Sequence, residues 1–444
     1  MTSLLDGFRL QPGMAVDQSG QLCFADVNLV ELANQFGTPL YVLNEQTIRE
    51  NCRSYLGVLS TEYPNALVAY ASKAFLCQAM CRLLTREGMG LDVVSGGELY
   101  TAQTADFPAE RIIFHGVNRS QAELRQALQY GVGRIVVDNL AELQRVNQVA
   151  GELCVVAQIL IRVTTGVEAH THHYVQTSLF DSKFGFHLAE LASVLAAAGQ
   201  LPTVRVRGLH CHIGSQIMLA EPFVQNLRIL LETVASLPAG RQLLDEINVG
   251  GGLGTYYTAD DEPVGIRQLV RQMAEATKEV CQELQLPLPR LILEPGRSIV
   301  NEAGLTLYTI GGEKVVPGVR KYLFVDGGMT DNIRPALYNS RYEAVLVNRM
   351  HEPTSESVSI AGRCCESGDM LAWDQRLPAA QPGDLLAVAR TGAYNYSMAS
   401  NYNRLPRPAV ILLSAGKAHI IVERESYADV TRLDRIPSHL AVVI

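Results

Sequence analysis

Between residues 66 and 296 one pattern recurs eight times: a short apolar, β-branched run, then polar or Gly-rich residues, then a helical stretch. The runs are ALVAYASKA, GLDVVSGGE, RIIFHGVNR, RIVVDNLAE, CVVAQILIRV, VRVRGLHCHIGS, DEINVGGGLG and RLILEPGRS. Helical periodicity fills most of the intervals, as in QAMCRLLTREG, SQAELRQALQYG and LAELASVLAAAG, where apolar residues return every three or four positions and Gly often follows the last turn. Eight strand and helix units over about 230 residues match a (β/α)8, TIM-like barrel in number and size. The same alternation also builds an open doubly wound sheet. The polar residues arbitrate, because Lys73, Asp92, His115, Asp138, Arg162, His212, Gly250 to Gly252 and Glu294 lie at or near the C-terminal ends of these runs. A barrel gathers all such ends on one face, the face where barrels keep their active sites.

Beyond residue 300 the pattern changes. TLYTIGGEKVV, KYLFVDGG, YEAVLVNRM, DLLAVARTGAY and AVILLSAGKAHIIVERE are β-rich segments separated by turns, without a helix after each, and predict a second, mainly antiparallel β domain of sandwich or barrel-like form. QLCFADV and PLYVLNE near the start also read as strands and are expected to complete that C-terminal sheet, since the termini of a compact unit often meet. The expected division is 1–44 for the N-terminal part of the β domain, 45–299 for the barrel and 300–444 for the C-terminal β domain.

The 444 residues are 18% charged and 48% hydrophobic, which excludes disorder and low complexity. A net charge of −8 without a long basic run gives no electrostatic footprint for nucleic acid or an anionic membrane, so a small-molecule partner is expected. MTSLLDGFRLQPG lacks the basic start and apolar core of a secretory signal, and no stretch approaches a spanning helix, so the expected location is cytoplasmic. Nine cysteines without a CxxC fit free thiols in a reducing compartment.

Several of these residues suggest chemistry. Lys73 at a strand end has a plain reading as a solvated residue. In a barrel mouth, partial desolvation would instead leave a neutral amine able to condense with a carbonyl such as that of pyridoxal phosphate. Gly250, Gly251 and Gly252 let backbone N–H groups approach an anion, although a tight βα turn explains them equally well. The run is not a dinucleotide fingerprint, because Thr255 occupies the last glycine position. Ser215 can add a hydroxyl to a phosphate site. Glu294 and Arg297 read either as a structural ion pair or as a functional pair, a carboxylate facing a pyridine nitrogen and a guanidinium gripping a substrate carboxylate. His210 and His212 share one strand face. His212, nearer the strand end, is expected to lie over a cofactor ring, and His210 is read as structural. His170, His172 and His173 resemble a metal cluster in composition only, and no metal is expected.

YASKA, GLDVVSGGEL, HCHIGSQ, VGGGLG, EPGRS, CESGD and GAYNYSMASNYN, in this order along essentially the whole chain, resemble the fold-type III pyridoxal phosphate-dependent decarboxylases. DSKFGF and the CESGD form of the cysteine motif are more similar to the branch acting on diaminopimelate than to those acting on ornithine or arginine. The resemblance implies the alanine racemase and ornithine decarboxylase architecture, and pyridoxal 5'-phosphate as cofactor. It implies that Lys73 holds the cofactor covalently, that Glu294 faces its ring nitrogen and that His212 stacks on the ring. Asp92, Ser215, Gly251, Gly252, Pro295, Gly296, Arg297 and Tyr394 would complete the cofactor site. Substrate would meet Arg297, Arg334, Tyr338, Glu366 and Tyr394, and Cys365 would be the acid that reprotonates the α-carbon. A homodimer with shared active sites follows, Cys365 reaching the neighbouring subunit's site. Cys364 stands where the family commonly has a different residue. The implied reaction is decarboxylation of meso-2,6-diaminopimelate to L-lysine and CO2, the last step of lysine biosynthesis. The competing readings are a decarboxylase of ornithine, arginine or carboxynorspermidine, and a non-catalytic cofactor-binding homologue.

Overall fold

A computed structural model of the chain describes residues 8–167, 182–237 and 245–441. The chain divides into two compact units, one of Gln46–Tyr256 with Asp260–Glu302, the other of Met1–Glu45, Tyr257–Ala259 and Ala303–Ile444.

The first unit is a closed barrel. Its strands are Ala66–Ala71, Gly90–Val93, Ile112–Phe114, Arg134–Val137, Ala157–Thr164, Val204–His210, Glu246–Asn248 and Arg290–Leu293. Each pairs in parallel with the next, and the eighth returns to the first through Leu291 opposite Ala66. All eight sequence runs therefore form strands, and closure excludes the open sheet. Inward-pointing Ala69, Ile113, Val136, Leu160 and Ile292 pack into one buried cluster that fills the interior. Three of the covering helices start where the sequence supplies a cap. Ser95, Ser120 and Asn139 accept from the backbone N–H groups of Glu98, Glu123 and Glu142, satisfying donors that a helix start leaves open. Gly88 and Gly131 end their helices in the left-handed conformation that glycine adopts without steric cost.

The second unit is built on a sheet ordered Met370–Leu377, Glu356–Ala361, Arg320–Val325, Gly304–Val316, Leu40–Asn44, Ala409–Ser414 and Lys417–Val422, with Leu385–Ala389 and Ala344–Leu346 branching from the long Gly304–Val316 strand. Most pairings are antiparallel. Two are parallel, Leu40–Asn44 with Ala409–Ser414 and Arg320–Val325 with Glu356–Ala361. Of the two N-terminal segments expected to join this sheet, PLYVLNE does, and QLCFADV does not. Leu22–Phe24 instead forms a separate three-stranded sheet with Met14–Val16 and Val27–Asn28. Leu22 and Phe24 still bury their side chains in the core they share with Leu40, Val42, Leu305 and Ile411, so the segment serves the hydrophobic core without sharing the hydrogen-bond ladder.

Candidate active site

Glu294 follows the last barrel strand and is 5% exposed. Its Oε1 lies 2.8 Å from His115 Nε2 and accepts from Asn248 Nδ2 at 2.6 Å, and its Oε2 lies 3.2 Å from His210 Nε2. The rings of His115 and His210 meet edge to face, with centroids 4.8 Å apart. Burial works to protonate Glu294, but the two histidines outweigh it and hold the carboxyl well below the usual carboxylate range. Burial likewise opposes charge on His115. The carboxylates of Asp92, 3.7 Å away, and Glu294 reverse that and raise its pKa. His210 is pushed down to about 3 by burial, so it is a neutral ring that donates to Glu294 from Nε2. His212 is driven well below its ordinary value by burial and by the charge of Lys73. The cluster thus holds an ionised Glu294 beside one basic and two neutral histidines.

Lys73 sits in a turn, Ser72–Ala74, directly after the first strand. It is solvent-exposed rather than partly desolvated as the sequence reading expects, and its charge reaches Asp92, Glu98 and His212. The glycine run is needed for close approach of neighbouring loops. A Cβ on Gly251 would lie 1.9 Å from the Glu294 carbonyl oxygen, and one on Gly252, at φ +117°, 2.1 Å from that of Gly214. The loops after the sixth, seventh and eighth strands therefore converge. There Arg297 Nη2 donates to Ser215 Oγ at 2.8 Å, the Gly251 N–H donates to His212 Nδ1 at 3.3 Å, and the Pro295 carbonyl accepts from Ala71 N–H at 3.0 Å. Gly296 packs on Ala71.

Among the described residues, four buried polar atoms at these strand ends have no hydrogen-bond partner: Ser72 Oγ, Asp92 Oδ1, Asp138 Oδ1 and His210 Nδ1. Buried polar atoms of native proteins are almost always paired, so their concentration at the barrel mouth marks a place for a polar ligand. An amine, an ionised carboxylate deep in the barrel and a Ser–Arg–Gly cradle fit a phosphorylated pyridine aldehyde. The same cluster of His115, His210 and Glu294 has the composition of a metal triad, with ligand atoms within 4.8 Å of one another. Its hydrogen bonds to Glu294 are already those a positioned carboxylate needs.

In the other unit Arg334 is 6% exposed. Its Nε donates to Tyr342 Oη at 2.9 Å and its Nη2 to Ser340 Oγ at 3.3 Å. The guanidinium faces the rings of Tyr257, Tyr338 and Tyr394 at 5.8, 5.1 and 5.5 Å. Burial opposes its charge and the surrounding phenols more than restore it. Among the described residues no carboxylate pairs with it. Cys365 and Glu366 are exposed on the loop between Ala361 and Met370, whereas Cys364 is half-buried. His170, His172, His173 and Asp181 of DSKFGF lie outside the described residues.

Sequence reasoning assigned no role to His115 or Asn248 and left His210 structural, yet all three bear on Glu294. The available signal was position, since His115 directly follows its strand, and His210 and Asn248 are the last residues of theirs.

Comparison with known proteins follows from this geometry. The family profile described as pyridoxal-dependent decarboxylase, pyridoxal binding domain, matches residues 45–301. Diaminopimelate decarboxylase of Bacillus subtilis is 48% identical over 421 residues, covering 94% of this chain and 96% of the relative. The chain belongs to the diaminopimelate decarboxylase branch of the pyridoxal-dependent decarboxylases. The diaminopimelate decarboxylase of Synechocystis is 43% identical, covering 96% of this chain and 92% of its own. A crystal structure of the M. jannaschii diaminopimelate decarboxylase in co-complex with L-lysine superposes with a TM-score of 0.90 at 34% identity, over 98% of this chain and 100% of that one. The protein is thus a pyridoxal phosphate-dependent decarboxylase with the barrel and β-domain architecture of its family. Among the described residues no helix is long and apolar enough to cross a membrane.

Proposed function

We propose that this decarboxylase converts meso-2,6-diaminopimelate to L-lysine and CO2, the last step of lysine biosynthesis, in the cytoplasm. The observation that carries the substrate is Arg334, a buried guanidinium enclosed by tyrosines and without a carboxylate partner among the described residues. Diaminopimelate has a second carboxylate, distant from the one lost, and needs such a clamp, whereas ornithine and arginine have none. The L-lysine in the M. jannaschii and Helicobacter pylori structures is the product this reaction releases.

When bound, pyridoxal phosphate supplies the electron sink that carbanion chemistry at an amino-acid α-carbon requires. Lys73 Nζ would hold the cofactor through its aldehyde carbon. Glu294, kept ionised by His115 and His210, would hold a proton on the ring nitrogen of the bound cofactor. His212 would stack on the cofactor ring, and its lowered pKa makes it too weak a base to compete with Glu294 for a proton. Ser215 Oγ, the backbone of Gly251, Gly252, Pro295, Gly296 and Arg297, and Tyr394 would hold the phosphate, and Asp92 would complete the cofactor site. Arg297, Tyr338, Tyr394 and Glu366 would make the other substrate contacts. Cys365 Sγ delivers a proton to the α-carbon. The barrel, residues 45–299, supplies the cofactor half of the site, and the β domain supplies the substrate clamp and the acid. We place these halves in a shared site of a homodimer, Cys365 coming from the neighbouring subunit.

CO2 release measured against diaminopimelate, ornithine, arginine and lysine tests the reading. Turnover of diaminopimelate alone is expected, and ornithine turned over as fast would refute the role given to Arg334.

A further inference from the structure

Two adjacent cysteines stand at the acid position, and their chemistry alone does not separate them. Asp369, which closes their loop, does. It is 3% exposed, and its two carboxylate oxygens bind different segments: Oδ1 accepts from the Met329 N–H at 2.5 Å and Oδ2 from the Cys364 N–H at 2.6 Å. The first segment leads into Arg334, and the second carries Cys365 and Glu366. Space is left for this carboxylate and for nothing more. A Cβ on Gly328 would lie 2.4 Å from Asp369 Oδ1, and one on Gly362 would lie 2.3 Å from Oδ2. The Gly362 N–H donates to the Asp369 carbonyl at 2.9 Å, which closes the loop on itself.

The same carboxylate engages the Cys364 thiol. Burial, reinforced by Asp369, pushes that thiol up to about 11, which keeps it largely protonated and a poor nucleophile. Cys365 is exposed, and its N–H is taken by Asn403 Oδ1 at 2.8 Å, from a turn in which Asn403 holds φ +51°. Consecutive backbone N–H groups are therefore pinned by different partners, one to a buried acid and the next to a surface amide.

We infer that Asp369 is a positioning residue that decides which of the two thiols serves the reaction, tying Cys364 inward and presenting Cys365 outward beside Glu366. The inference rests on the reading of Cys365 as the acid. It also accounts for a cysteine at position 364, where the thiol acts as one more donor to Asp369.

Alkylation of the holoenzyme by iodoacetamide, with both sites followed by peptide mass mapping, tests it. Cys365 is expected to react at least roughly tenfold faster than Cys364, as follows from their difference in exposure and from the raised pKa of the Cys364 thiol. Asp369→Asn keeps the size but sets an amide NH2 against one of the two N–H donors. It should bring the two rates within about threefold of each other and lower kcat, while KM rises as well, because the same carboxylate holds the segment leading into Arg334 and the loop carrying Glu366. Gly362→Ala, whose methyl displaces the same carboxylate, should reproduce both effects, and Asp369→Glu should not restore kcat, for lack of room. Equal labelling of both thiols in the wild type would overturn the inference even if every variant failed to fold. So would an Asp369→Asn enzyme with unchanged labelling ratio and kcat. A fully active Cys365→Ala enzyme would overturn the acid assignment, and with it the functional half of the inference. The labelling ratio separates that outcome from failure of the clamp.

Discussion

A carboxylate at the floor of a barrel loses its charge unless donors hold it, and Glu294 is held by His115, His210 and Asn248. Glu294→Gln should retain cofactor and lose about 100-fold in kcat, or about 3 kcal/mol, the scale of one preorganised charge. Unchanged kcat would contradict its role. The histidine partners bring a pH dependence. His115 has a raised pKa, so its cation persists past the ordinary imidazole range, and its support of Glu294 is lost as pH rises through the raised value. In the wild type kcat should decline along that alkaline limb. His115→Gln should lack the limb and run about tenfold slower below it, a change of about 1.4 kcal/mol; a profile identical to wild type would exclude His115. Lys73→Ala should lose the absorbance of lysine-bound cofactor near the visible edge, and an unaltered spectrum would exclude Lys73. Lys73, Glu294 and His212 could be picked out as candidates because each stands in a motif whose chemistry is local. The partners of Glu294 were not legible, since His115 and His210 lie 179 and 84 residues away from it and only barrel closure brings them together.

At the level of elements, the eight barrel strands were readable because parallel strands buried on both faces leave near-continuous apolar runs ended by a change to polar residues. The β unit was less so. Glu356–Ala361 and Met370–Leu377, which the sequence reading did not name, pair through register shifts at Val358/Ile360 and Ile360/Ala361, and irregular pairing blurs the alternation that marks a half-buried strand. QLCFADV has the right alternation for a strand but its neighbours in space cannot be inferred from it. The glycine run was readable as a turn, while the reason for three glycines emerges only from the loops packed against it. Gly251→Ala should therefore preserve the barrel, as judged by circular dichroism, yet force the Glu294 loop aside and weaken cofactor retention by about tenfold or more. Normal cofactor content in that variant would show that the loop can yield.

For the whole molecule, the proposed shared-site dimer predicts complementation. Lys73→Ala and Cys365→Ala homodimers should each be nearly inactive, and after subunit exchange the mixture should recover up to about a quarter of wild-type activity, because half the dimers are mixed and each has one intact site of two. No recovery after verified exchange would place Lys73 and Cys365 in the same chain. A different consequence follows from the strand Leu40–Asn44, which is bonded on one side to Gly304–Val316 and on the other to Ala409–Ser414. On the ribosome, at roughly 5–20 residues per second, that strand emerges on the order of 10–50 s before the first of its partners. The barrel, whose pairings all lie within the intervening stretch, can close during that wait. The opening segment meanwhile remains an apolar strand with both edges unpaired, the form most open to mispairing and to capture by a chaperone. Synthesis order thus makes the first residues of this chain among the last to find their place.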